Sequence, residues 1–443
     1  MSTTKNIFTV LPLAALVAAE AWANDPVNFV KRSWDDVGKR VVEKDTSITD
    51  YFTLNGTASK DDYTLDRDIP YVVKKSFGRY KVVVPKNAVV NLVICDGATL
   101  EGGIDIDEGA TLNIFAQSDG DNMGKIVAQR LGPSAGIKVP ESASLFIHGG
   151  DIDAKGGDYG FLNEGSGPGI GGMRKESGGS VTIYAGKVSA TGGKDAAGIG
   201  NGEQWRKATN GGSLTVYGGT VTARGGEYGA GIGGGQDASG SKVVIYGGTV
   251  KAYGGTDAAG IGSGEEYVAG TIDGGSLTVY GGYVYAEGKD WGAGIGGGQD
   301  AKGAKVEIYG GTVEAKAGEK AAKENGSAFG SAAGEGYYGS LFIDGNMIVK
   351  AGQSTASVSQ FPFETRVPAC RWRPFARIEP DAGKALKKSA VAGGVMIRDG
   401  KLEATQSVGR HADRWFDLQG RKLNGKPTEK GKYLHNGRVE VIR

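Results

Sequence analysis

The amino-acid sequence predicts an all-β protein, a right-handed parallel β-helix with an N-terminal cap and a small C-terminal β module, on three observations. Units of near-constant length recur through the middle of the chain. Each unit holds short stretches that alternate apolar and polar residues. Glycine is concentrated where those stretches must bend: of 79 glycines in 443 residues, 58 lie between Gly149 and Gly345. No Gly-X-Y period accompanies them, which excludes collagen, and the abundant β-branched and aromatic residues among them exclude a flexible glycine linker.

The repeat is clearest in SLTVYGGTVTARGGEYGAGIGGG from Ser213 and SLTVYGGYVYAEGKDWGAGIGGG from Ser276, two units further on. Related units begin at Ser180, Lys242 and Lys305. The isoleucine of the Gly-Ile-Gly element recurs at Ile137, Ile170, Ile199, Ile232, Ile261 and Ile295, and Phe329 follows. A longer and a shorter spacing alternate along that series, which is why alternate units resemble each other most. Within a unit, Leu214 and Val216 alternate with Thr215 and Tyr217, as a strand requires. A Gly-Gly corner follows, since glycine takes the left-handed conformations of a tight bend. Val221 and Ala223 then alternate around Thr222, and a polar loop leads to the third piece, Ala-Gly-Ile-Gly. Three strands per unit at these spacings fit one coil of a β-helix and not the four-stranded blade of a propeller, which takes about 40–50 residues. Stacked coils then align Val181/Leu214/Val243/Leu277/Val306, Ile183/Val216/Ile245/Val279/Ile308 and Val188/Val221/Val250/Val284/Val313 as inward ladders.

The ends differ from the middle. Residues 1–23 carry Lys5, an apolar run from Ile7 to Ala19 and the small-x-small motif Ala21-Trp22-Ala23, the pattern of an export signal. That run is too short to span a bilayer, and no later apolar stretch reaches the ~20 residues a transmembrane helix needs. The mature chain is therefore expected to be secreted, without a transmembrane segment. Residues 24–68 are expected to cap the N-terminal edge, 69–352 to form the β-helix, 353–388 to be cap or linker, and 389–443 to form the C-terminal module. Charge divides along the same lines: residues 356–443 hold 18 Lys/Arg and 9 Asp/Glu, whereas 24–355 hold 32 and 40. An acidic body with a basic tail argues against a nucleic-acid partner. Cys95 alternates with apolar residues and reads as a buried thiol; its pairing with Cys370 is left open.

Two resemblances follow from these motifs. Val90-Asn-Leu-Val-Ile-Cys-Asp-Gly-Ala-Thr-Leu100, Thr111-Leu-Asn-Ile-Phe115 and the Gly-Gly-Thr-Val/Ala-Gly-Ile-Gly-Gly-Gly repeats resemble gut-bacterial, Bacteroidetes-type surface β-helix proteins described as adhesin-like or carbohydrate-binding-domain-like. That likeness, over roughly residues 30–380, implies fold and location but no chemistry. The C-terminal Trp415-Phe-Asp-Leu-Gln-Gly-Arg-Lys422, Lys430-Gly-Lys-Tyr-Leu434 and Asn436-Gly-Arg-Val-Glu-Val-Ile-Arg443 resemble the sorting module of the type IX secretion system, which implies the secretion machinery as a partner. The alternative for that tail is a plain β cap.

Catalysis has little to build on. The histidines, His148, His411 and His435, lie on different segments, and His148 occupies the Tyr position of an earlier coil, where a surface ladder residue is expected. A polysaccharide lyase or hydrolase would need converging carboxylates. Asp195 and Asp257, or Asp237 and Asp300, recur, but they belong to the repeat instead of breaking it. No enzyme and no cofactor or metal is therefore expected; the signal for calcium at the loop acids is weak, since no Asp-x-Asp-x-Asp-Gly loop exists. Binding is better supported. Outward alternation places Tyr184, Tyr217, Tyr246, Tyr280 and Tyr309 in one row, one per coil, where flat rings can meet a sugar face or a protein partner or simply stack to stabilise the sheet. Tyr159, Tyr228, Trp291 and Trp205 add aromatic loop positions beside Asp158, Glu227 and Asp290. A regular Thr-x-Thr ice-binding array is absent, and the tail leaves no room for an autotransporter barrel. The expected role is a secreted or surface-displayed protein that binds a glycan or a host surface protein, against the alternatives of a ligand-free surface-layer spacer and of the lyase or hydrolase.

Overall fold

The computed structural model describes residues 24–55, 62–158, 165–204, 209–267, 271–323, 328–331 and 339–343, with strands at 347–351, 354–357, 375–380, 395–398, 401–404, 415–416, 422–423, 431–435 and 438–442. The chain is an all-β parallel β-helix. One coil consists of Ser213–Val216, Thr220–Arg224 and Ile232–Gly233, and the next of Lys242–Ile245, Thr249–Tyr253 and Ile261–Gly262. Each strand pairs in parallel with its counterpart one coil on: Leu214 with Val243, Val221 with Val250, and Ile232 with Ile261. The three inward ladders lie in the expected register from Val181 to Ile308 and from Val188 to Val313.

These ladders are the core. Val216, Ile245, Val279 and Ile308 are fully buried, as are Val221, Val250, Val284 and Val313. Each side chain is covered mainly by the like residue above and below it, so stability rests on neighbouring coils. Gly233 shows why glycine follows the isoleucine in the coils from Ile170 onward: its φ is 137°, and a Cβ there would stand 1.8 Å from the carbonyl oxygen of Gly262. The Gly218-Gly219 corner likewise needs φ of 79° at Gly219.

The regular stacking starts earlier than the cap boundary expected at residue 68. Phe52–Leu54 already pairs in parallel with Tyr71–Val73, and Asp62–Thr64 with Lys81–Val83. The segment before them, β1 (Val27–Asp35) and β2 (Arg40–Ile48), forms an antiparallel hairpin. It lies along the flank of the helix instead of across its end, because its apolar residues find an apolar column there: the Phe29 ring meets Phe115 at 4.7 Å.

At the other end, antiparallel strands terminate the parallel stacks. Phe375–Pro380 pairs with Thr312–Lys316, and Val395–Arg398 with Ser340–Ile343. Such pairing covers strand edges that would otherwise template association. Trp415–Phe416, Lys422–Leu423, Gly431–His435 and Arg438–Ile442 form a separate four-stranded antiparallel sheet. Cys95 is a buried free thiol, and burial pushes its pKa up; Cys370 and residues 1–23, the expected export signal, lie outside the described residues. Among the described residues no helix is long and apolar enough to cross a membrane.

Candidate functional site

The tyrosine row is one continuous column of stacked rings. Tyr184, Tyr217, Tyr246, Tyr280 and Tyr309 follow one another at centroid distances of 5.1, 4.9, 4.9 and 5.3 Å, with interplanar angles of 9–15°. The column extends toward the N-terminus through His148 and Phe115, at 5.0 and 4.4 Å, and Phe342 packs on its far end. The spacing is that of the coils themselves. It leaves the ring faces turned to one another and the ring edges and hydroxyls turned outward. Burial raises the pKa of Tyr184 and Tyr280, and pushes that of Tyr217 up to about 12, with Tyr184, Tyr246 and Asp36 adding to it.

The hairpin covers the first part of this column. Trp34 on β1 lies against two consecutive rungs, 4.5 Å from Tyr217 at 26° and 4.6 Å from Tyr246 at 41°. Arg32, only 3% exposed, anchors the hairpin: its Nε donates to Glu43 Oε1 at 2.8 Å, and its guanidinium also bonds Asp119 and the carbonyl of His148. The Arg32 backbone N–H donates to His148 Nδ1 at 3.1 Å. His148 thus belongs to the ladder as expected, but it is 5% exposed and not a surface residue, because the hairpin buries it. Burial, with Lys31 and Arg32 nearby, pulls its pKa down to about 4. Beyond Trp34 the column emerges, and Tyr280 is 48% exposed.

Tyr228 and Trp291 sit at a different corner of the coil, between the second and third strands, so they do not converge with the tyrosine column. Tyr228 is half-buried, bonded to the Glu227 carboxylate, with the Lys194 ammonium 5.8 Å from its ring. The Trp291 backbone N–H donates to Asp257 Oδ1 at 3.3 Å. Tyr159 and Trp205 lie outside the described residues.

Three loop carboxylates have a structural use. Asp158, Asp237 and Asp257 each accept a backbone N–H from the next coil, from Lys194, Tyr267 and Trp291. Asp237, Asp257, Asp290 and Asp300 also occupy left-handed backbone positions, with φ of 57°, 62°, 48° and 61°, which Asp tolerates better than most residues. Asp195 is the exception: it is fully buried and neither carboxylate oxygen has a hydrogen-bond partner. Burial, reinforced by Glu203, Glu227, Asp158 and Glu265, pushes its pKa up to about 7. Among the described residues no group of three or more His, Cys, Asp or Glu is placed to hold a metal ion.

Sequence reasoning missed two aromatic positions. Trp34 carries no repeat signal, since it precedes the solenoid. Tyr267, 72% exposed, had one: it stands two coils after Trp205, in the equivalent Glu-x-aromatic position.

Comparison with known families gives one match: a β-helix repeat model covers residues 181–203, 214–236, 243–265 and 271–299. No curated protein and no solved structure matches. Over those four stretches, each spanning the three strands of one coil, the chain is similar to β-helix repeat proteins.

Proposed function

We propose that this is an exported, surface-displayed binding protein without enzymatic activity, and that the aromatic column takes a glycan in adhesion. The supporting observation is Trp34, a flat apolar ring seated across two rungs of the ladder, while the same ladder continues to the half-exposed Tyr280. A flat ligand can lie against the exposed Tyr280 as Trp34 lies against Tyr217 and Tyr246. The apolar faces of a pyranose ring suit such edges, and its hydroxyls suit the phenolic oxygens. The structural use of Asp158, Asp237 and Asp257 supports a non-catalytic reading of the loops. The export signal and the C-terminal module complete the proposal, as the parts that deliver and anchor the solenoid.

The second reading, a spacer that binds nothing, is favoured by the ladder itself, because its ring faces are satisfied by one another. A glycan array separates the two. Binding by the full chain that weakens at least tenfold in Tyr280→Ala and Tyr309→Ala supports the ladder. Binding unchanged in both variants removes the ladder from the site, and an array without any signal favours the spacer.

A further inference from the structure

The first-strand sheet has a second long border. Its tyrosine column runs along the ends of the strands; along their beginnings runs an open groove of about 810 Å³, bounded by Glu141 at one end and Ser340 at the other. The groove crosses six coils, entering each at its first-strand residue: Ser180, Ser213, Lys242, Ser276, Lys305 and Ser340, which stack in register. At one interstrand spacing per coil it is about 24 Å long. Beyond Glu141 it continues into a second recess of about 700 Å³.

Its polar groups are fixed and repeated. Asn210 and Asp273, at equivalent positions two coils apart, each hold a side-chain oxygen on a backbone N–H, Asn210 Oδ1 on Gly212 at 2.9 Å and Asp273 Oδ1 on Gly275 at 2.8 Å. Those bonds immobilise both side chains before any ligand arrives and leave Asn210 Nδ2 and Asp273 Oδ2 outside the turn, which lowers the entropic cost of binding. Ser241 breaks the repeat. The residue before the first strand is Gly179, Gly212, Gly275 and Gly339 in four other coils and Ala304 in a fifth, whereas here a hydroxyl stands in the groove wall. Ser241 is 3% exposed, and its Oγ has no hydrogen-bond partner. A buried hydroxyl left unpaired costs about 1–3 kcal/mol, and a ligand hydroxyl reached by a rotamer change would remove that cost.

The charges are balanced. Among the lining residues Lys242 and Lys305 are matched in number by Glu141 and Asp273, and Lys305 pairs with Glu307 at 2.9 Å. In the adjoining recess Lys86 pairs with Glu108 at 2.7 Å and Lys138 with Glu176 at 3.7 Å. No net field therefore selects a charged polymer. An open trough with hydrogen-bonding groups repeated at the coil spacing suits a ligand that is itself long, periodic and rich in hydroxyls.

We infer that this groove binds an uncharged linear polysaccharide, lying parallel to the helix axis. The inference rests on the glycan-binding reading but uses a site distinct from the tyrosine ladder. The test is affinity electrophoresis of the full chain through gels containing hydroxyethyl cellulose, galactomannan or xylan. Ser213→Trp and Ser276→Trp fill the groove from half-buried outward positions, and Asn210→Ala removes one donor without adding bulk; circular dichroism and the melting temperature check that each variant folds. Retardation of the wild type that falls at least tenfold in the groove variants and persists in Tyr280→Ala supports the groove. Retardation that persists in the groove variants and is lost in Tyr280→Ala overturns the groove and leaves the ladder as the glycan site. A wild type retarded by none of the three polymers overturns the groove, while binding of other glycans on the array would still uphold the ladder.

Discussion

Replacing Asp195 by asparagine removes a buried carboxyl whose oxygens have no partner and whose neighbours, Glu203, Glu227, Asp158 and Glu265, all oppose its ionisation. Its pKa moves from 3.8 in the unfolded chain to about 7 in the folded one. Between those values the unfolded chain has lost the proton and the folded chain keeps it, so folding takes up a proton and stability falls as pH rises. A shift of that size, at about 1.4 kcal/mol per pH unit, corresponds to about 4 kcal/mol once both states are ionised, and to nothing below pH ~4. Asparagine does not titrate. The stability of Asp195→Asn relative to wild type should therefore climb from near zero at pH 4 to about 4 kcal/mol at pH 8. Solenoids open coil by coil, so the assay must be local: native-state hydrogen exchange at Gly226, whose amide bonds the Ala196 carbonyl beside the carboxyl. A difference between the two proteins that stays constant from pH 4.5 to pH 8 would refute the reasoning, since it would mean that Asp195 does not carry a raised pKa in the fold.

Other perturbations give further outcomes. His148 has the opposite sign: held neutral to about pH 4 by burial, it should cost the fold up to about 3 kcal/mol as pH falls from 6.5 toward 4, because the unfolded chain protonates first. Acid should therefore loosen the hairpin, read as the wild-type fluorescence change that Trp34→Phe lacks, and His148→Phe should abolish the pH dependence. Trp34→Ala removes two ring contacts, worth about 1–3 kcal/mol together; faster exchange in β1 and β2 with the coil amides unchanged is the expected pattern. Gly233→Ala should cost about 3 kcal/mol or more, on the order of the largest single-site losses, seen as a lower melting temperature, because the added Cβ meets a carbonyl oxygen at 1.8 Å at a φ of 137°.

The repeat made most of the solenoid legible. Alternation of Leu214 and Val216 with Thr215 and Tyr217 determines which side of the strand faces inward, and the recurrence of Gly-Ile-Gly determines coil length. Given both, the register of the five repeat strands from Val181 to Val306 follows, because a one-residue slip would turn every ladder inside out. The tyrosine column was legible for the same reason: residues in register in adjacent coils must stack at the interstrand spacing. Its condition was not. Whether those rings are open or covered depends on Trp34, which lies far upstream of Tyr217 in a hairpin outside the repeat.

Sequence by itself therefore determined what is periodic: the parallel β-helix, its inward ladders, the aromatic row and the glycine corners, since each is dictated by a residue's nearest counterpart one coil away. Only the tertiary structure decided what is not periodic. It showed that β1 and β2 lie along the flank and bury His148, that Asp195 has no partner where Asp257 has one, and that Ser241 puts an unpaired hydroxyl into a column of glycines. These depend on packing between segments with no sequence relation to each other, and on which single member of a repeated set is left without the bond its counterparts make.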